Sequence, residues 1–194
     1  MNVIDAIKDR RSIRKFLDRE IDRGIIEKII EAGILAPSGK NTQPWTFIVV
    51  QKNDRAQMLE AMKRGIEQLK ASDTVFKQFL APAEHTMKIM GEAPVTIFVL
   101  NNERTLLLNQ KIEEKIGEMV DIQAIGAAIQ NMLLAAMEYD IGSLWICDIF
   151  FAYHELAAWL KTDRQLIAAI SFGYANEKPA ARPRKKFDEL VEWR

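Results

Sequence analysis

The stretch Ala36-Pro37-Ser38-Gly39-Lys40-Asn41-Thr42-Gln43-Pro44-Trp45-Thr46-Phe47-Ile48-Val49-Val50 passes from helix stop to loop to strand within a few residues. Ahead of it, Ile25, Ile26, Ile29, Ile30, Ile34 and Leu35 recur at helical spacing. Asp22 is a candidate N-cap for that helix, with Ile21 and Ile26 placed as a hydrophobic staple. Pro37-Ser38-Gly39 ends it, since proline and glycine punctuate helical patterns. Trp45 to Val50 is a short run of β-branched and aromatic residues, which predicts a buried strand.

The same alternation continues outward in both directions. Asn2 and Asp5 mark the start of a short helix to which Val3, Ile4 and Ile7 give one apolar face. About Asp54 to Gly91 is expected to be helical, interrupted near Pro82. Pro94 introduces Val95 to Leu100, a second strand, and Glu103 to Glu118 is a more polar helical or lid-like segment. Val120 to Tyr139 is so apolar that a helix there is expected to be covered all round by sheet, helices or a partner subunit. A third strand is placed around Leu144 to Ile149, a helix at His154 to Leu160 and a fourth strand at Ile167 to Tyr174. The tail, Glu177 to Arg194, is rich in proline and charge and cannot build a core alone. Strands separated by long helices predict a mixed, layered domain of helix and sheet occupying the whole of residues 1–194.

Composition narrows the function classes. Lys+Arg and Asp+Glu both number 27, so the overall basic surplus usual in nucleic-acid binders is missing. The single cysteine, Cys147, cannot form a disulfide within the chain, which agrees with a reducing compartment. The N-terminus lacks the apolar stretch of a signal peptide, and no continuous apolar run approaches the roughly 20 residues that span a bilayer. A cytoplasmic location without membrane attachment is the expectation.

Four groups of residues could carry chemistry. Arg10-Arg11-Ser12-Ile13-Arg14-Lys15-Phe16 places three guanidiniums and a hydroxyl where they could surround a phosphate, or could equally be a solvated basic turn. In the Pro37 to Trp45 loop, Asn41 and Gln43 offer amides with both donors and acceptors, suited to a ligand edge that mixes carbonyl acceptors with an N–H donor. The alternative is a turn in which they satisfy their own backbone. Gly142 to Asp148 and Ser171 to Tyr174 read by themselves as core strand ends. Arg182-Pro183-Arg184-Lys185-Lys186 is a second basic cluster, or a solubilising tail.

Taken together and in this order, these elements resemble the nitroreductase family, across essentially the whole chain. Family members open with Arg-Arg-Ser-x-Arg-x-Phe, here Arg10 to Phe16, followed by a Pro-Ser-(small)-x-Asn-x-Gln-Pro-Trp loop, here Pro37 to Trp45. Gln130-Asn131 in the apolar helix, Gly142 to Asp148 and Arg182/Arg184 match in order as well.

The resemblance implies an α+β fold with a central, mostly antiparallel sheet flanked by helices. It also implies a homodimer whose C-terminal arm, about residues 177–194, crosses to the partner. The cofactor implied is FMN, with NADH or NADPH as transient donor and a small molecule such as a nitroaromatic or quinone as acceptor. Arg10, Ser12 and Arg14, with Arg182 and Arg184, would hold the FMN phosphate and ribityl chain, and Arg11 would lie beside the pyrimidine. Pro37, Ser38, Gly39 and Asn41 match a loop lent to the neighbouring subunit's flavin, with Gln43 nearby. Trp145, Ile146 and Cys147 match the segment whose backbone faces the isoalloxazine. Some members have Pro-Ile-Glu-Gly there, so Trp145-Ile146-Cys147-Asp148 bears on acceptor range and reduction potential. Related activities on the same frame include reductive dehalogenation and flavin breakdown, and a non-enzymatic flavin-binding protein is the rival from another class.

No protein side chain is assigned as catalytic acid or base. His85 and His154 are too few and too separated to suggest a metal site or triad, so structural roles are expected for both. Apolar neighbours make Cys147 an inert, buried thiol in this reading. No Gly-x-Gly-x-x-Gly follows a strand, so a nicotinamide would dock only transiently.

Overall fold

A computed structural model describes residues 2–72, 75–105 and 112–194. In chain order the helices are α1 (Val3–Asp9), α2 (Arg23–Ile34), α3 (Lys52–Ala71), α4 (Lys77–Glu92), α5 (Ile112–Glu138) and α6 (Tyr153–Trp159). The strands are β1 (Trp45–Val50), β2 (Val95–Thr105), β3 (Ile141–Ile146) and β4 (Arg164–Tyr174). They form one antiparallel sheet in the order β1-β2-β4-β3.

Both faces of this sheet are covered. Along β2, Phe98 and Leu100 point into a core shared with α3, α4 and α6, while Val95, Ile97 and Val99 point into a second core shared with α2 and α5. Burial on both faces is why the strands read as continuous apolar runs and not as alternating ones. Gly65 of α3 allows the helix to lie close to the turn after β3. A Cβ there would stand 2.4 Å from the Cα of Ala152.

Local signals placed several elements well. Asn2 caps α1 by accepting from the Asp5 N–H at 2.9 Å, Asp22 caps α2 through the Gly24 N–H at 2.8 Å, and Ile21 and Ile26 are both buried. Other expectations are corrected. The α1 face of Val3, Ile4 and Ile7 is exposed, and Ala6 is the residue that the helix buries. Pro82 does not interrupt the helical region, because it lies inside α4 and the carbonyl it leaves unpaired belongs to exposed Gln78. The break falls instead between α3 and α4. The third strand lies three residues earlier than expected, ending at Ile146, with a 3-10 turn over Asp148–Ala152. The segment from Glu103 to Glu118 includes residues 106–111, which lie outside the described residues.

Within this protomer the apolar helix is not covered all round. Ala124, Ile125, Ala128, Ile129, Met132 and Leu133 are buried, whereas Met119 at 60% and Val120 at 43% are exposed. By length and composition Glu114–Glu138 could cross a membrane, contrary to the expectation from continuous apolar runs. In this fold it packs one side on α2 and the sheet.

Candidate functional site

Residues 11–17 leave α1 in extended form and are held by the sheet. Ser12 bridges Ser143 in parallel, and the Ile13 N–H donates to the Ser143 carbonyl at 2.9 Å. Further on, Phe16 bridges Ala175, and the Leu17 N–H donates to the Tyr174 carbonyl at 2.8 Å. Ile13 and Phe16 are buried, so the apolar residues of the segment fix its basic ones. Gly142 and Gly173 make room: a Cβ at Gly142 would sit 2.8 Å from Ile13, and one at Gly173 2.6 Å from Phe16.

Two cavities open along this pairing. One, of about 450 Å³, is lined by Arg10, Arg11, Ile13, Gly142, Ser143 and Glu177, among others. The second, of about 400 Å³, is lined by Arg14, Pro82, His85, Thr86 and the run Leu144 to Asp148. Arg10 and Arg11 therefore face one cavity and Arg14 the other, with Ile13 and Ser143 between them. Both volumes lie within the few-hundred-Å³ range, about 300–1,000 Å³, of small-molecule sites.

The first cavity mixes charges, since Asp9, Asp140 and Glu177 join Arg10, Arg11 and Lys178 on its wall. The Glu177 carboxylate accepts from the backbone N–H of Arg14 at 2.5 Å and of Lys15 at 3.3 Å. Arg11 donates to the Lys8 carbonyl at 2.6 Å and to the Arg10 carbonyl at 3.0 Å, while Arg14 reaches the Ser12 carbonyl at 3.3 Å. The Nε of Arg10 is buried with no hydrogen-bond partner among the described residues. A buried guanidinium N–H without an acceptor is costly and calls for one from outside the protomer.

In the second cavity the Thr86 hydroxyl donates to the Asp148 carboxylate, tying α4 to the chain after β3. Cys147 is exposed, not buried as its apolar neighbours suggested. Its thiol is nonetheless raised above the ordinary range, first by partial burial and then by the nearby Asp148 carboxylate. At neutral pH it stays a protonated thiol, a poor nucleophile.

The loop from Pro37 to Gln43 lines neither cavity. Gly39 lies against Val120 of α5, and the Ser38 hydroxyl accepts from the Gln43 N–H at 3.0 Å. Lys40, Asn41 and Gln43 adopt positive φ of 52°, 58° and 49°, a left-handed geometry costly for side chains other than glycine. Strain of this kind collects where a loop is shaped for a purpose beyond folding. The side-chain amides of Asn41 and Gln43 have no partner among the described residues, so they do not satisfy their own backbone. Arg182 and Arg184 lie in the exposed tail and also line neither cavity. The protomer thus places Arg10 and Arg11 on one cavity, Arg14 with Trp145 to Cys147 on the other and Ser12 on the strand pairing beside them, and leaves the loop and the tail apart from both cavities.

Sequence reasoning passed over His85, Ser143 and Glu177. His85, read as structural, is exposed on the wall of the second cavity. A lone histidine on a helix gave no signal of this. Gly142 did carry one, as a glycine at the start of a β-rich run.

A profile described as the Nitroreductase family matches residues 7–174. A protein of Methanothermobacter thermautotrophicus provisionally named NADH dehydrogenase/NAD(P)H nitroreductase is 34% identical over 146 residues, 75% of this chain and 60% of that protein. A similarly named Archaeoglobus fulgidus protein is 34% identical over 143 residues, 74% of this chain and 66% of its own length. The match thus spans less than two thirds of each of these two relatives. A protein of Desulfovibrio desulfuricans, provisionally named a nitroreductase and crystallised with FMN, superposes with a TM-score of 0.75 at 30% identity, covering 100% of this chain and 98% of the other.

Proposed function

The chain belongs to the Nitroreductase family, and from that premise we propose that it is an FMN-dependent oxidoreductase that takes reducing equivalents from NADH or NADPH. The observation that carries this is the pairing of residues 12–13 with Ser143, which sets Arg10 and Arg11 on the wall of one cavity and Arg14 with Trp145 to Cys147 on the wall of a second. The residues fit the cofactor. The Nε of Arg10 lacks an acceptor among the described residues, which a phosphate or ribityl oxygen would supply. Ser12 adds a hydroxyl nearby, and Arg11 shares the cavity wall. Arg14 and the Trp145 to Cys147 segment would border the ring system. When bound, FMN supplies the redox chemistry, moving a hydride from the nicotinamide to a nitroaromatic, quinone or similar acceptor in turn.

The protein's contribution is binding and placement. Arg guanidiniums neutralise the phosphate without a titration near neutral pH. Nothing in this arrangement requires a side-chain acid or base.

The site in this reading is shared between two copies of the chain. Loop Pro37 to Gln43, with its free amides and strained backbone, and the tail with Arg182 and Arg184, serve the partner's flavin. The exposed apolar face of α5 is the surface that the second copy would cover. Two-fold symmetry then gives two equivalent sites. A cytoplasmic location suits such an enzyme.

Denatured protein should release FMN, identified by mass spectrometry, after reconstitution if necessary. FAD, or no flavin, overturns the cofactor assignment. Sedimentation with detection at a flavin wavelength should show FMN on a dimer, and a monomer retaining FMN stoichiometrically would remove the shared site.

A further inference from the structure

His85 stands on the α4 wall of the second cavity, opposite the strand run Leu144 to Cys147 and in the same cavity as Arg14. It is exposed and has no hydrogen bond, ion pair or ring contact among the described residues. Its helix is held in place by neighbours on both sides. Pro82 and Ile89 line the same cavity, and Thr86 is bound to Asp148. The imidazole is therefore an unused polar group on a fixed backbone, carried by a residue that lines this cavity from α4.

The charged and titratable groups around it are few. On α4, Glu84 pairs with Lys70 of α3, and Lys88 lies one turn further along on an exposed position. Across the cavity stand Arg14, whose charge is permanent, Cys147, and Asp148, which accepts the Thr86 hydroxyl. Of these residue types, only histidine changes charge near neutral pH without perturbation.

We propose that His85 sets the reduction potential of the flavin held in this cavity, its protonated form favouring the reduced cofactor. This rests on the FMN assignment above. Two-electron reduction of a flavin near neutral pH takes up two electrons and one proton and leaves one negative charge on the ring. A cation in a partly desolvated cavity stabilises that charge, and charge near the ring is one of the levers by which a protein tunes the cofactor. The stabilisation lasts only while the imidazole carries a charge. The device belongs to this chain's own α4 and needs no residue from a partner.

Redox titration of FMN-loaded wild type, H85A and H85K between about pH 5.5 and 8.5 tests this, across the window where histidine titrates. FMN content is measured first, by absorbance after denaturation. At the acid end, wild type should favour reduction over H85A by roughly tenfold, about 30 mV for a two-electron couple. The gap should close at the alkaline end, while H85K stays above H85A throughout. Superimposed curves for wild type and H85A, with FMN bound to both, overturn this inference and leave the cofactor reading standing. A wild type that holds no FMN overturns both.

Discussion

Two basic clusters, Arg10 to Lys15 and Arg182 to Lys186, have similar compositions and opposite structural fates. The first is interleaved with Ile13 and near Phe16, which are buried at 7% exposure each and zip the segment onto β3 and the end of β4. The second follows prolines in a stretch whose every residue from 181 onward is exposed, and Arg184 reaches only backbone carbonyls beside it at 3.3 and 3.4 Å. The tail does have apolar residues, Phe187 and Trp193 among them, but this protomer offers them no surface. Charge alone does not position a binding group; an apolar neighbour with somewhere to pack does. The first cluster is held on the sheet by its apolar neighbours, and in the proposed reading it forms half of the flavin site while the second would need a partner's surface to form the other half.

The largest test of this contrast is removal of residues 180–194. The fold should survive with little change in thermal midpoint, because the tail adds nothing to either core. FMN affinity should fall by roughly 100-fold or more. That is the effect of losing two charge-assisted contacts of about 1.5–3 kcal/mol each. Fluorescence titration of FMN reads the affinity. If it is unchanged, the tail is a solubilising appendage.

Within the anchored cluster, Arg14→Ala should weaken FMN binding by about 1.5–3 kcal/mol, roughly tenfold or more, with the fold intact. Unchanged affinity in the same titration would make Arg14 a surface charge only.

The anchoring itself can be broken without touching a charge. In Gly142→Ala the new Cβ would meet Ile13 at 2.8 Å. Overpacking of this kind costs about 1–3 kcal/mol, a drop of roughly 2–12 °C in midpoint for a chain of this size. The Ile13 amide should also exchange faster. Pairing the change with Ile13→Ala, which removes both γ carbons that the new Cβ would meet, should cost less than the sum of the two single changes, and strict additivity would place the strain elsewhere.

The smallest effect belongs to a contact remote from both clusters. Arg64 and Gln68 hydrogen-bond the Glu155 carboxylate at 3.0 and 2.9 Å and hold its pKa below the ordinary range, the Arg64 bond contributing most. The folded value is depressed. The stabilisation is therefore present above the usual carboxylate range and lost as pH falls through the lowered one. Glu155→Gln should lower the thermal midpoint slightly at neutral pH, with the gap to wild type closing as pH falls through the carboxylate range. FMN affinity should not move, and a change there would join α6 to the site.

How much of this was legible beforehand depends on how local each signal is. β1 after Pro37 to Pro44, β2 after Pro94 and the capped start of α2 were readable, since each depends on neighbours within one turn or one strand. The Arg10 to Phe16 and Pro37 to Trp45 elements named the family by their order, which is a property of sequence alone. β3 was misplaced because Gly142-Ser143 resembles a turn. Only its pairing from Ile141 opposite Tyr174 to Ile146 opposite Ala169 makes it strand. His85 was passed over because a helix position says nothing about what lies across from it.

By itself the sequence determined which segments are helix or strand, through apolar periodicity, caps and breakers, and which basic residues could meet an anion. The tertiary structure alone decided which of them share a wall. Antiparallel pairing of β3 with β4 and the bridge from Ser12 to Ser143 join residues more than a hundred positions apart, and no local propensity encodes that distance. It also decided that Cys147 and the outer face of α5 are exposed, because burial is set by what packs against a residue and not by the residues beside it in the chain.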